Sequence, residues 1–302
     1  MPPLLRSTLL CSFLIGLAFL SASDAQSRID CNALNSQILK QPVHYCVYLP
    51  AGYDAAIKGP GAVRYPVLYF LHGLGDNEQT LFSSGGWTLL DEMRNKGDLG
   101  NFLIVAPEGR RSFYINSANA SVRYSDFFVR EFIPHIESKY RAGAAREKRA
   151  ISGISMGGYG ALRFAFARPD LFSAVSAQSA ALMTESPAEL DTASRAGSPL
   201  GKVLATVFGD PIEVAHWKAN SPFLLAKKNA LALHKMAIYF NCGQDDNYGF
   251  EKGAAALHEE LVKLSVKHDY RPYPGDHSVS YFLAHFAEVM QFHSRAFGLT
   301  QG

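Results

Sequence analysis

Seven runs rich in β-branched and aromatic residues alternate with amphipathic stretches, and this alternation restricts the fold more than any other feature of the chain. The runs are HYCVYLP (44–50), YPVLYFLHG (65–73), NFLIVAPEG (101–109), RAISGIS (149–155), FSAVSAQS (172–179), MAIYFNCG (236–243) and HDYRPYPG (268–275). Each has the composition of a strand. Between several of them, apolar side chains recur at helical spacing: Phe128, Phe132 and Ile136 share a face, as do Leu257, Leu261 and Leu264, and Phe282, Phe286 and Val289. Near-continuous apolar strands separated by helices predict an α/β fold with a mostly parallel central sheet covered by helices on both faces. Ligands of such sheets sit beyond the carboxyl ends of the strands.

With 302 residues, 48% of them hydrophobic, the chain can bury one large core, and a formal net charge of +2 gives no reason to expect a nucleic-acid partner. At the N-terminus, Arg6 is followed by an uncharged apolar run from Ser7 to Leu20 and then by small residues up to Ala22 and Ala25. This order predicts a secretory signal peptide over residues 1–25, cleaved after Ala25 or Ala22, because the apolar run is short for a bilayer span. The bulky Leu10 before Cys11 argues against a lipoprotein signal. The mature chain, 26–302, is expected to be a single domain, secreted and without stable membrane insertion. It keeps Cys31, Cys46 and Cys242, of which the first two can pair in an oxidising compartment; three unpaired thiols are the alternative. The Ser-, Pro-, Ala- and Gly-rich segment 184–228 interrupts the alternation before the sixth run. It reads as short helices and loops, either a cap or a surface excursion.

Within RAISGISMGGYGALRFAF (149–166), Ser155 stands in Gly153-Ile-Ser-Met-Gly157 between a strand-like and a helix-like run. A turn this sharp strains the serine backbone and leaves no room for side chains two residues to either side, which is why both positions are glycine. It presents the hydroxyl at a helix N-terminus, the arrangement of a nucleophile elbow.

A serine hydroxyl needs a base, and the base needs an acid to orient it, in the order serine, acid, histidine. The run ending in Cys242 leads into Asp245 and Asp246, and the run ending in Pro274-Gly275 leads into His277. His277 alone among ten histidines combines a strand-to-loop position with the right order. Asp245 and Asp246 are both candidates for the acid, with Asp210 and Asp276 weaker. An oxyanion hole would combine the Met156 N–H with one from His72-Gly-Leu-Gly75, where Leu74 is the expected donor. Trp87, Tyr114 and Trp217 are candidates to line an acyl or aromatic pocket, or serve in packing. The sequence around Gly197–Val203 lacks the spacing of a phosphate loop and His258 lacks a second zinc-ligating histidine, so no cofactor or metal is expected.

The runs CVYLPAGYD, YPVLYFLHGLGDNE, FYINS, FFVREFIPHIE, GISMGGYGAL, CGQDDN and PGDHS occur in an order that resembles the esterase D-like family of α/β-hydrolases. That group includes S-formylglutathione hydrolases, feruloyl and acetylxylan esterases, and secreted mycolyltransferases. The resemblance implies an α/β-hydrolase fold, Ser155 as nucleophile, His277 as base, Asp246 as the acid, and Leu74 with Met156 as oxyanion donors. It implies a serine carboxylic-ester hydrolase working through an acyl-enzyme on short-chain acyl or hydroxycinnamoyl esters, either small or polysaccharide-linked. An acyltransferase using a sugar or lipid hydroxyl, or an S-formylglutathione hydrolase-like thioesterase, is the alternative. The chain has GDHSVSYF where many feruloyl esterases carry an aromatic residue soon after the histidine, and the signal peptide argues against a cytosolic thioester.

Overall fold

The computed structural model describes residues 26–54, 63–184, 186–195 and 197–300, so the expected signal peptide lies outside the described residues. Eight strands form one sheet: β1 (Arg28–Ser36), β2 (Gln41–Leu49), β3 (Val67–Leu71), β4 (Leu103–Pro107), β5 (Arg149–Ile154), β6 (Ala174–Gln178), β7 (Ala237–Gly243) and β8 (Asp269–Tyr273), in the order β1-β2-β4-β3-β5-β6-β7-β8. β1 and β2 are antiparallel to their neighbours, and every pair from β4 onward is parallel. The seven expected strands are all present. β1 is an addition: it lies at the sheet edge with a half-exposed sequence, RIDCNALNS, in which polar and apolar residues mix, and so lacks the apolar run of an inner strand.

β3, β4 and β6 are buried at every position, because helices cover both faces. Successive residues alternate between two cores. Tyr45, Val47, Tyr69 and Leu71 join Phe128, Phe132 and Phe164 on one side, while Cys46, Tyr48, Leu68 and Phe70 meet Leu90, Met93, Val289 and Met290 on the other. The helices are α1 (Trp87–Asn95), α2 (Tyr124–Phe127), α3 (Ile133–Lys139), α4 (Met156–Ala167), α5 (Pro187–Arg195), α6 (Pro199–Phe208), α7 (Val214–Asn220), α8 (Pro222–Leu233), α9 (Phe250–Lys263), α10 (Val279–Ala284) and α11 (Phe286–Ala296). The closing helix is thus split at His285, with Phe282 on α10 and Phe286 and Val289 on α11. Helices α5 to α8 occupy the interrupting segment between β6 and β7. None of the helices among the described residues is long and apolar enough to cross a membrane.

Cys31 and Cys46 face each other in the β1–β2 register and form a disulfide, with a Cα separation of 4.1 Å, while Cys242 is free and buried. Of these three cysteines, only Cys242 is expected to be alkylated in denaturant without reductant, a count that mass spectrometry reads directly.

Beneath the sheet, fully buried His293 of α11 lies 2.7 Å from Ser176 Oγ on β6, and Ser176 in turn donates to Ser152 on β5. The imidazole Nε2–H therefore donates to Ser176 and leaves Nδ1 as a buried acceptor without a partner among the described residues. Burial lowers the His293 pKa from 6.5 to about 3. Below pH 6.5 the unfolded chain binds a proton that the folded chain refuses, so this residue removes stability as pH falls, by about 1.4 kcal/mol per pH unit until the folded pKa is reached. A His293→Gln variant should show a shallower loss of denaturation free energy between pH 6 and pH 4 than the parent protein.

Candidate active site

At the end of β5 the chain turns so tightly that Ser155 adopts φ 54° and ψ −116°, a conformation that costs a non-glycine residue about 1–3 kcal/mol. Its neighbours show what enforces the turn. A side-chain carbon on Gly153 would stand 2.2 Å from the Gly157 carbonyl oxygen, and one on Gly157 would stand 2.0 Å from the Leu71 carbonyl oxygen of β3. Backbone bonds hold the serine from both directions: its N–H donates to Gln178 O at 2.9 Å, and its carbonyl accepts from Tyr159 and Ala181 at 3.0 Å. Helix α4 begins at Met156, so the amides nearest the hydroxyl lack intrahelical partners.

Ser155 Oγ lies 3.0 Å from His277 Nε2, and His277 Nδ1 lies 2.7 Å from Asp246 Oδ2. The two residues that flank the hydroxyl-bearing turn in this chain of bonds come from the loops after β7 and β8, which pair in parallel. Asp245 is exposed and uses its backbone N–H on Gly275 O, whereas Asp246 is only 6% exposed and faces the imidazole. Burial pushes the Asp246 pKa up, but bonds from His277 and from the backbone N–H groups of Tyr248 and Phe250 outweigh it and hold the pKa below the usual carboxylate value. Asp246 stays ionised. Asp210 and Asp276 are exposed and take no part.

Three rings meet His277 edge-on: Tyr248 at 4.9 Å, Phe282 at 5.3 Å and Phe250 at 5.5 Å between centroids. A further bond from the His277 N–H to Asn247 Oδ1 ties the histidine loop to the acid loop. Together these contacts leave the imidazole one orientation, with Nε2 toward the serine.

The loop after β3 is fixed by His72, which is 3% exposed. Its Nε2 accepts from the Gly109 N–H at 2.7 Å, so the ring proton sits on Nδ1 and donates to Gly73 O at 2.7 Å. Burial lowers the His72 pKa and keeps the ring neutral. Gly73 lies against Ser155: a side-chain carbon there would be 3.7 Å from Ser155 Cβ.

A cavity of about 450 Å³ opens over these groups, lined by Leu74, Met156, Phe113, Leu200, Tyr248, Phe250 and Phe282 among others. The three aromatic residues expected there lie elsewhere. Trp87 starts α1 on the opposite face of the sheet and donates its Nε1–H to Ser27. Tyr114 is fully buried under the loop after β3, where its hydroxyl donates to His72 O. Trp217 packs on Phe208 at 4.7 Å, beside a separate small cleft. The aromatic lining comes instead from residues flanking the acid and the histidine. Tyr248 and Phe250 follow Asp246 by two and four positions and Phe282 follows His277 by five, a proximity to candidate site residues that the sequence displays.

A family model described as "Putative esterase" matches residues 36–293. The chain belongs to this esterase family. It is 32% identical over 130 residues to an endo-1,4-beta-xylanase/feruloyl esterase of Xylanibacter ruminicola, a match covering 42% of this chain and 18% of that protein. It is 29% identical over 179 residues to an acetyl esterase of Caldicellulosiruptor saccharolyticus, covering 59% of this chain and 65% of the relative. The chain thus spans less than two thirds of either relative's length. A solved ferulic acid esterase superposes with a TM-score of 0.76 at 26% identity, covering 90% of this chain and 99% of that one. The fold is that of the α/β-hydrolases, as the motif order implied.

Because a methyl group at position 157 would collide with backbone of β3 rather than with a movable side chain, Gly157→Ala should destabilise the fold by about 3 kcal/mol or more. The midpoint of urea unfolding, compared with that of the parent protein, reads the difference.

Proposed function

We propose that this protein is a secreted serine carboxylesterase that works through an acyl-enzyme. The observation that carries the reading is the unbroken chain Ser155–His277–Asp246, whose first two members line the cavity of about 450 Å³. His277 Nε2 takes the serine proton as Oγ attacks the ester carbonyl. Asp246, ionised and fixed by backbone donors, stabilises the imidazolium that results.

The negative charge on the carbonyl oxygen meets the Met156 N–H at the start of α4 and the Leu74 N–H on the loop clamped by His72. The imidazolium then protonates the departing alkoxide. Water enters, is deprotonated by the same imidazole, and releases the acid. A mainly apolar cavity with four aromatic rings suits a short acyl or aromatic acyl group, in keeping with the names of the feruloyl and acetyl esterases to which the chain is similar. Secretion is supported by the order of regions in residues 1–25 and by the Cys31–Cys46 disulfide.

Ser155→Ala should lower kcat on p-nitrophenyl acetate by about 10⁶ while leaving the unfolding midpoint close to that of the parent. In the parent alone, a fluorophosphonate should add one phosphonyl mass to the peptide containing Ser155. Activity retained in Ser155→Ala at more than a few per cent would overturn the assignment.

A further inference from the structure

The active-site cavity continues in two directions. On one side it shares Asp76, Ile154 and Phe282 with a small apolar cavity that reaches Leu81 and Phe286; on the other it shares Leu200, Tyr248 and Phe250 with a cavity of about 180 Å³ that reaches Glu189 and Leu204. The described residues lining all three include two carboxylates, Asp76 and Glu189, and no lysine or arginine. This contrasts with a chain that carries 29 basic and 27 acidic residues overall.

The two carboxylates differ in what they already hold. Glu189 accepts a hydrogen bond from the Ser186 N–H at 2.6 Å and so caps the start of α5. Asp76 is exposed, and its carboxylate takes part in no hydrogen bond or ion pair among the described residues. It also stands beside the reacting groups. A methyl group built on Gly73 would lie 3.0 Å from Asp76 Oδ2 and 3.7 Å from Ser155 Cβ, so the carboxylate and the nucleophile flank one small space.

A fixed negative charge there opposes an oxyanion on the same loop and repels any substrate group of its own sign. It becomes favourable when the substrate brings a cation or a hydrogen-bond donor to it. We propose that Asp76 is a specificity-determining residue that selects esters carrying a cationic or hydroxyl-donor group near the scissile bond and rejects esters carrying a carboxylate. This rests on the serine-esterase reading and names the charge class of substrate for the same site.

The test compares the parent with Asp76→Asn on two series at low ionic strength. In the first the acyl group varies: p-nitrophenyl hexanoate, p-nitrophenyl hydrogen adipate and p-nitrophenyl 4-(trimethylammonio)butanoate. In the second the leaving group varies: butyrylthiocholine against the S-butyryl thioester of 3-mercaptopropionate.

In the parent, kcat/KM should favour the cationic over the anionic member of at least one series by about tenfold, a preference that shrinks toward about twofold in 0.5 M salt. In Asp76→Asn the preference should collapse at either salt concentration. Turnover of the neutral hexanoate should rise by about twofold to fivefold as the charge beside the oxyanion is removed. Selectivity unchanged by the substitution in both series, with the parent active on the hexanoate, would overturn the role of Asp76 and leave the esterase reading standing. A folded parent inactive on p-nitrophenyl acetate and on every member of both series would overturn both.

Discussion

Everything at this site depends on how closely the backbone of the β5–α4 turn approaches the end of β3. The Gly157 α-carbon sits where any side chain would strike the Leu71 carbonyl, and Gly153 sits where one would strike Gly157. That approach does two things at once. It forces Ser155 out of the ordinary backbone regions and lifts its hydroxyl clear of the sheet, and it brings the loop after β3 against the first amides of α4. The Ser155 hydroxyl, proposed as the nucleophile, and the amides proposed to stabilise the oxyanion are therefore positioned by one steric fact. The strain at Ser155 is sustained by burial of α4 on all but its outermost residues and by three backbone bonds to the serine itself.

The loop after β3 needs its own restraint, since two glycines at positions 73 and 75 leave it free to move. His72 supplies it by bridging the Gly109 amide at the end of β4 to the Gly73 carbonyl, while Tyr114 braces the His72 carbonyl from below. The bridge works only in the neutral ring, with one nitrogen accepting and the other donating, and burial keeps the ring neutral. Tyr114 thus contributes to the site as a support beneath it rather than as a wall of the pocket.

Residues whose roles follow from strand order and turn chemistry were legible in the sequence; those whose roles depend on loop direction were not. Gly153, Ser155 and Gly157 announce a sharp turn by spacing alone, and Asp246 and His277 follow strand-like runs in the required order. The choice between Asp245 and Asp246 is not available from local pattern, because adjacent residues point apart; the family resemblance implies Asp246, and the fold turns that residue inward. The pocket aromatics show the same limit. Phe113 and Tyr114 are neighbours, both fully buried and both with positive φ, yet only Phe113 borders the cavity. No periodicity encodes that split. β1 lacks a clear strand signal for a different reason: an edge strand paired on one side needs no continuous apolar face.

The far end of the site repeats the device found at the elbow. A side chain on Gly243 would stand 2.4 Å from the Gly275 carbonyl, so the acid loop and the histidine loop also meet backbone to backbone. Bonds from Gln244 N–H to Tyr273 O and from Asp245 N–H to Gly275 O extend the β7–β8 ladder past the ends of both strands. Asp246 and His277 then emerge from a continuation of the sheet instead of from two independent loops. This accounts for how a carboxylate and an imidazole 31 residues apart in sequence meet at 2.7 Å with so little side-chain scaffolding. The aromatic rings around His277 complete the arrangement by blocking rotation of the imidazole, so that the geometry rests on backbone contact first and on packing second.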